Sequence, residues 1–394
     1  MALFAAGLMQ AGAGWLFGGS FAVACSLLTL MLSTFIRPAV RGAGPPLVAA
    51  FTVGWVVLCA LIAGVVLFDN SPDEEVLTAG DWAAGAIALL VMLALAAFAS
   101  WRMLLRLARR YSEKRFSELQ LALGAYWALI TAFTTGIVLI LSFEDRTGAA
   151  MEWFGLAIAT LWLVWRWLQR GVLRFVCRRA SAPLGALLLL RVFKPSSRSE
   201  AFIERFLAHW RFAAPVWMIA GPDLAGAFME PDEFFAYLRR RLHERFIADP
   251  AKVPACVNAL DNTRDPDGRF RVNELFCSNA TWKPAVLALI ERAGVVLLDL
   301  REYTQQRAGT RFELVELLRR APLRMVLVIV GVDDNLEQVK SEILSIWHEV
   351  GHEVKRTESA PRLQVLQLGN GSDAEMRGLF RAAAEVAATT GLRP

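Results

Sequence analysis

Long apolar runs in the N-terminal part constrain the fold of this chain more than any other feature. A helix of about 20 apolar residues can cross the hydrocarbon core of a bilayer. Four runs reach that length: Trp15–Ile36, Leu47–Phe68, Trp82–Trp101 and Leu119–Phe143. A weaker fifth run, from about Trp153 to Leu168, is interrupted by an arginine. The sequence therefore predicts a transmembrane helical domain over residues 1–180 with about five spans.

Charged residues between the runs predict how the spans are oriented. Basic residues flank the runs on one side: Arg37, Arg41, Arg102, Arg106, Arg109, Arg110, Lys114, Arg115, Arg170, Arg174, Arg178 and Arg179. Acidic residues dominate the other side: Asp69, Asp73, Glu74, Glu75, Asp81, Glu144 and Asp145. Positive residues stay inside, so we expect a multipass protein of the bacterial inner (plasma) membrane, with its N-terminus outside and its C-terminal domain cytoplasmic. The net charge of only +5 and the position of the basic residues favour a lipid bilayer as partner and no nucleic acid.

Four arginines recur every fourth residue at the end of the fifth run: Arg166, Arg170, Arg174 and Arg178. Arginines at the inner end of a transmembrane helix reach headgroups while their alkyl stems stay in lipid. The same stripe would suit a sensor of phosphate or lipid headgroups, or a charged element that lines a pore. The sequence leaves these interpretations open.

The remaining residues, 181–394, alternate between apolar runs and amphipathic segments. "ALLLLRVF", "PVWMIAG", "GVVLLDL", "MVLVIVG" and "RLQVLQL" are typical of strands covered on both faces, and helical patterns separate them. Such alternation predicts a three-layer α/β domain of the flavodoxin-like class, with a parallel sheet of about five strands. We predict an irregular insertion at about residues 230–277 that includes the basic helical pattern "FFAYLRRRLHERF".

The insertion contains a short acidic segment, "DNTRDPDGRFRVNE". Counted from Thr263, it places Asp265, Asp267, Gly268 and Glu274 at positions 3, 5, 6 and 12 of a calcium-binding loop. A threonine nevertheless stands where the first carboxylate belongs, and an Asp-Pro-Asp-Gly turn accounts for the same residues. We therefore predict a turn and no metal site.

The stretch "WHEVGHE" contains a His-Glu-x-x-His pattern, which on a helix can bind a catalytic zinc. An alternative function is therefore a zinc-dependent, membrane-associated protease that uses His348 and His352. The apolar residues of this helix, from Leu336 to Val350, define one face, and the two histidines point away from it. Because a zinc site needs a walled cleft with a third ligand, the pattern favours a solvent-exposed helix face. Glu375 is the third ligand that could be suggested.

Part of the C-terminal half resembles a TIR-like domain. The stretch "TWKPAVLALIERAGVVLLDLREYTQQRAGTRFELVELL" is similar to the middle of such domains, where a helix opens with an aromatic residue followed by Glu-Leu. Here the Glu-Leu pair is Glu313-Leu314, and "ALLLLRVF" is similar to the first strand. The resemblance covers roughly residues 185–390. In its arrangement the chain resembles bacterial membrane proteins that carry a C-terminal TIR-like domain.

The resemblance implies a signalling or defence module that works by self-association or by binding a cytoplasmic protein partner. The loop Gly221–Asp232 corresponds to the one that mediates assembly in this family. In enzymes of the family, the glutamate matching Glu313 cleaves the nicotinamide–ribose bond of NAD, so NAD is expected as a substrate rather than a bound cofactor. The alternatives are a non-enzymatic scaffold or sensor, and a Glu313 that only complements the helix dipole from the first turn of its helix.

Overall fold

The structure is a computed structural model that describes the following residues: 42–68, 79–145, parts of 160–172, 184–191, 197–220, 231–240, 246–301, 308–332, 334–350, 363–369 and 371–390. The chain divides into two compact units. The helical unit comprises Met1–Phe175 and Phe228–Arg240, and the sheet unit comprises Val176–Ala227 and Arg241–Pro394.

Three long helices form the described core of the helical unit: α1 (Gly44–Phe68), α2 (Ala79–Ser112) and α3 (Glu118–Asp145). They coincide with the second, third and fourth predicted spans. Within the described residues, one helical segment, Ala86–Ser112, is both long and apolar enough to cross a membrane. The first run and most of the fifth, including the arginine stripe, lie outside the described residues. Five spans therefore remain a prediction.

Close packing of α1 against α2 depends on a small residue. The hydroxyl of Ser100 on α2 donates a 2.8 Å hydrogen bond to the backbone carbonyl of Ala50 on α1. A Cβ atom added to Gly54 would lie 2.4 Å from the Ser100 Oγ. Glycine at this position lets the two helices approach closely, as small residues do in membrane helix pairs.

A short helix from far along the chain completes this unit. Helix α5 (Pro231–Leu238) packs Phe234 and Phe235 against Tyr111 of α2 and Leu121 of α3. The rings of Tyr111 and Phe235 have centroids 5.7 Å apart. Arg239 and Arg240 follow the helix in a turn where φ of Arg240 is 56°, so the described part of the predicted basic helix ends at Leu238. The segment Phe228–Arg240, which the sequence placed in the insertion, therefore groups with the helical unit.

The described residues of the sheet unit form seven parallel strands in the order β3-β4-β2-β1-β5-β6-β7. Their bounds are β1 Leu187–Arg191, β2 Val216–Ala220, β3 Phe246–Ile247, β4 Val272–Cys277, β5 Val295–Asp299, β6 Val326–Gly331 and β7 Gln364–Leu368. The order β2-β1-β5-β6-β7 is that of a flavodoxin-like sheet, which confirms the predicted α/β class. The predicted count of five strands was too low, because β3 and β4 arise from the stretch interpreted as irregular.

Helices cover both faces of this sheet. Their bounds are α4 Ser197–Trp210, α6 Val253–Asn258, α7 Trp282–Ile290, α8 Ala308–Arg320, α9 Leu336–Val350 and α10 Asp373–Thr390. Helices α6 to α9 pack on the face that carries Leu188 and Leu190, whereas α4 and α10 pack on the face of Leu187 and Leu189. The continuous run of leucines in β1 is explained by this burial on both faces.

Candidate functional site

Helix α8 places Glu313 inside the protein. Its apolar residues Leu314, Leu317 and Leu318 are buried in the core beneath the sheet. Phe312 stacks edge-on against Trp282 of α7 with ring centroids 5.2 Å apart. Glu313 stands between Phe312 and Leu314 in the sequence, and it is 3% exposed. The prediction that it stands on the first turn of its helix was wrong, because α8 already begins at Ala308 and Glu313 falls in the second turn. It cannot serve as a first-turn carboxylate for the helix dipole.

The carboxyl group of Glu313 lacks the partners that a buried charge needs. Its Oε2 atom has no hydrogen-bond partner among the described residues. Burial raises the pKa of Glu313 to about 8, so the group is mainly protonated at neutral pH in this conformation. The hydroxyl of Thr310, one turn earlier on the same helix, is also buried without a partner in the described part of the chain. Two buried polar groups one turn apart, both without a described hydrogen-bond partner, are rare in a structural core and mark a candidate functional position.

A second glutamate on the same helix shows the contrast. Glu316 is also buried, yet it accepts a 2.8 Å hydrogen bond from Arg319 and a 2.7 Å bond from Arg320. Paired in this way, Glu316 is a structural residue of α8. No cation among the described residues pairs with Glu313, so in that part of the chain the same helix carries one paired and one unpaired carboxyl group.

Charged residues also end the two central strands, and the sequence reasoning missed them. Asp299 closes β5, and Arg301 binds it with two hydrogen bonds of 2.8 Å and 2.6 Å. The Arg301 guanidinium lies 4.7 Å from the ring centroid of Phe202. Arg191 closes β1 directly beside Asp299 in the sheet register. A single charged residue after an apolar run, as in "LLLLR" and "VVLLDLR", was the signal that could have identified them.

The His-Glu-x-x-His stretch lies at the end of α9. Val339, Ile343, Ile346 and Val350 form its buried face, while His348 is exposed, which confirms the predicted direction of this histidine. His352 lies outside the described residues. No cluster of three or more metal-binding side chains occurs in the described part of the chain.

Glu375, the residue considered as a third zinc ligand, instead accepts backbone hydrogen bonds. The amide of Gly369 donates to it at 2.8 Å and the amide of Ser372 at 2.9 Å. These bonds lower the pKa of Glu375. The carboxylate therefore caps the first turn of α10.

The acidic segment of the insertion is a turn stabilised by arginines. Asp265 forms an ion pair with Arg271 at 3.0 Å, and Asp267 forms one with Arg269 at 2.6 Å. Gly268 has a φ of 83°, which favours glycine, and its amide donates to the carbonyl of Asp265. Arginines form ion pairs with the two aspartates that would have to bind calcium. A turn therefore accounts for the segment.

Two sequence-predicted features cannot be placed. Residues 221–230 of the Gly221–Asp232 loop and the arginine stripe of the fifth run lie outside the described residues. Known proteins add no further constraint: no protein family matches the chain, and no curated protein matches it.

Proposed function

We propose that this protein is a membrane-anchored bacterial module whose TIR-like α/β domain acts on the cytoplasmic side, through self-association or a protein partner. One observation carries the membrane part. Only 11% of the apolar segment of α2 is buried in the protein. Ile87, Leu90 and Phe98 are each more than 60% exposed, at 62%, 65% and 62%. Such a surface is unfavourable in water and ordinary in lipid.

The packing of the helix ends supports the proposed orientation. Tyr111 near the end of α2 lies in one buried cluster with Leu121 near the start of α3 and Ala43 just before α1. Three helix ends therefore meet at the turn that carries Lys114 and Arg115. An excess of basic residues is typical of the cytoplasmic side. In a five-span protein this end faces the cytoplasm together with the sheet unit.

Cysteine labelling of intact cells tests this orientation. The five native cysteines are replaced by alanine, and single cysteines are introduced by Ser112→Cys and Asp73→Cys. We expect a membrane-impermeant maleimide to label position 73 in intact cells and position 112 only after lysis. Labelling of position 112 from outside would overturn the proposed topology.

Glu313 supports an enzymatic version of the proposal, the cleavage of NAD. Water replaces nicotinamide at the anomeric carbon of the ribose, which gives ADP-ribose, neutral nicotinamide and a proton. The transition state resembles an oxocarbenium ion, and an adjacent carboxylate stabilises its positive charge. The favouring observation is that the buried Oε2 atom of Glu313 has no hydrogen-bond partner within the described ranges. Because burial raises the pKa of Glu313 to about 8, opening of α8 to solvent or substrate would favour the carboxylate form. Clustering of the domains on the membrane is the proposed trigger.

Nicotinamide release from NAD tests this version. Full-length protein is assayed in detergent and at high density in liposomes, beside Glu313→Gln and a matched control, Glu385→Gln, whose side chain is exposed on α10. We expect release in liposomes, its loss in Glu313→Gln and no change in the control. Release that survives Glu313→Gln, or none in any state, would leave the scaffold or sensor version of the proposal.

A further inference from the structure

The two central strands end next to each other at the point where the chain reverses direction across the sheet. Strand β1 has β2 on one side and β5 on the other, and connections run outward from it both ways. In open α/β sheets, ligands bind beyond the carboxyl ends of the strands at this switch point. Arg191 and Asp299 occupy it as register partners.

The charged residues of this edge share one face of the sheet. Leu187 and Leu189 of β1 pack on the side of α4, and side chains alternate along a strand. Arg191 therefore projects to the same side. The same alternation from Leu297 places Asp299 and Arg301 there, and the contact of Arg301 with Phe202 on α4 agrees. Glu313 belongs to α8 on the opposite face.

The two arginines differ in how their charge is balanced. Arg301 is held by Asp299, with only 10% of its side chain exposed. The Nε atom of Arg191 is buried and has no hydrogen-bond partner among the described residues. A buried guanidinium N–H without a partner is costly, so a ligand with acceptor oxygens at this position would be stabilised. Because Asp299 already pairs with Arg301, the charge of Arg191 has no ion-pair partner in the part of the chain that the structure describes.

We propose that Arg191, with Arg301 beside it, forms a subsite for the phosphate group of a phosphate ester. A guanidinium presents parallel N–H donors that match the oxygens of a phosphate, and it remains charged at every physiological pH. Asp299 fixes the orientation of Arg301, and Phe202 supports its plane. The subsite holds whether or not Glu313 cleaves NAD, because it lies on the other face of the sheet.

Binding of three phosphate probes to the full-length protein in nonionic detergent tests the subsite. The probes are inorganic phosphate, AMP and ADP-ribose, measured by isothermal titration calorimetry in a phosphate-free buffer. Arg191→Gln removes both the positive charge and the parallel N–H donors of the guanidinium. Arg191→Lys keeps the charge and removes only the parallel donors. The matched control is Arg292→Gln, which removes an exposed arginine just before β5, at the opposite edge of the sheet. Thermal unfolding of each variant establishes that it is folded.

We expect at least one probe to bind the wild type, about tenfold or more weaker binding to Arg191→Gln, and a smaller loss in Arg191→Lys. Arg292→Gln should bind like the wild type. Preference for AMP or ADP-ribose over inorganic phosphate would identify a nucleotide ligand, and equal binding would identify the phosphate group alone. No binding of any probe, or equal binding to Arg191→Gln, overturns the subsite. Phosphate binding without nicotinamide release would refute only the NAD-cleaving version of the function.

Discussion

The substitution Glu313→Gln should change how the stability of the protein depends on pH. Glutamine keeps the size of the side chain and removes its titration. Burial raises the pKa of Glu313 from 4.5 to about 8. Between these values the unfolded chain has released the proton and the folded protein still holds it. The contribution of Glu313 therefore lowers the stability of the wild type as pH rises from 4.5 to 8, and this contribution is constant outside that window.

The size of the effect follows from the shift. At 1.36 kcal/mol for each pH unit, the whole window amounts to about 5 kcal/mol. The measurable quantity is the free energy of unfolding of the wild type minus that of Glu313→Gln, from urea titrations of the full-length protein in nonionic detergent between pH 5 and pH 8. Contributions common to both proteins cancel in this difference. We expect it to fall by about 1 kcal/mol or more for each pH unit.

Glu375→Gln is a control of opposite sign. Backbone hydrogen bonds from Gly369 and Ser372 lower the pKa of Glu375. Its stabilisation is present above the unfolded value of 4.5 and is lost as pH falls through the folded pKa. The wild-type advantage over Glu375→Gln should therefore shrink towards acid. If the unfolding free energy of the wild type minus that of Glu313→Gln stays constant from pH 5 to pH 8, the Glu313 carboxyl group is solvated or paired. That result would refute the reasoning.

Three further substitutions test the packing. Phe235→Ala should lower the unfolding free energy by about 3–5 kcal/mol, because the ring is 3% exposed; Tyr237→Ala, with its ring 61% exposed, should change it little. Asp265→Asn should cost about 3–5 kcal/mol, because it removes the carboxylate charge that lies 3.0 Å from the buried Arg271 guanidinium. Millimolar calcium should not shift the thermal midpoint of the wild type. Gly54→Ala should lower the thermal midpoint because its Cβ would lie 2.4 Å from a serine oxygen, whereas Gly124→Ala, with nothing within 4 Å, should not.

Local sequence patterns predicted those helices and strands that can be recognised from their own residues. Helix α4 begins at Ser197 and α10 at Asp373, as expected from a polar residue ahead of an amphipathic run. Strand β1 was recognisable because both of its faces are covered. The α/β class followed from this alternation.

Elements that depend on distant contacts escaped prediction. Strand β4 reads "VNELFC", and its polar half is only partly buried near the border of the sheet, so it lacks the apolar run of a central strand. Helix α8 begins with Ala308 and Gly309, and because glycine disfavours a helix, the sequence placed Glu313 one turn too close to the helix start. Whether Glu313 has a partner depends on which side chains surround it in the fold, and no pattern along the chain records that.

The position of α5 has a practical consequence for studies of the isolated sheet unit. A soluble fragment cut at the boundary near Val176 would retain Phe228–Arg240 but lose the helices on which Phe234 and Phe235 rest. The two aromatic rings would then be exposed to water, which favours their burial against the apolar surface of another molecule. Dimers or aggregates of such a truncated protein would result from this newly exposed apolar surface rather than from the association of the intact molecule. Assembly is therefore best measured on the whole chain.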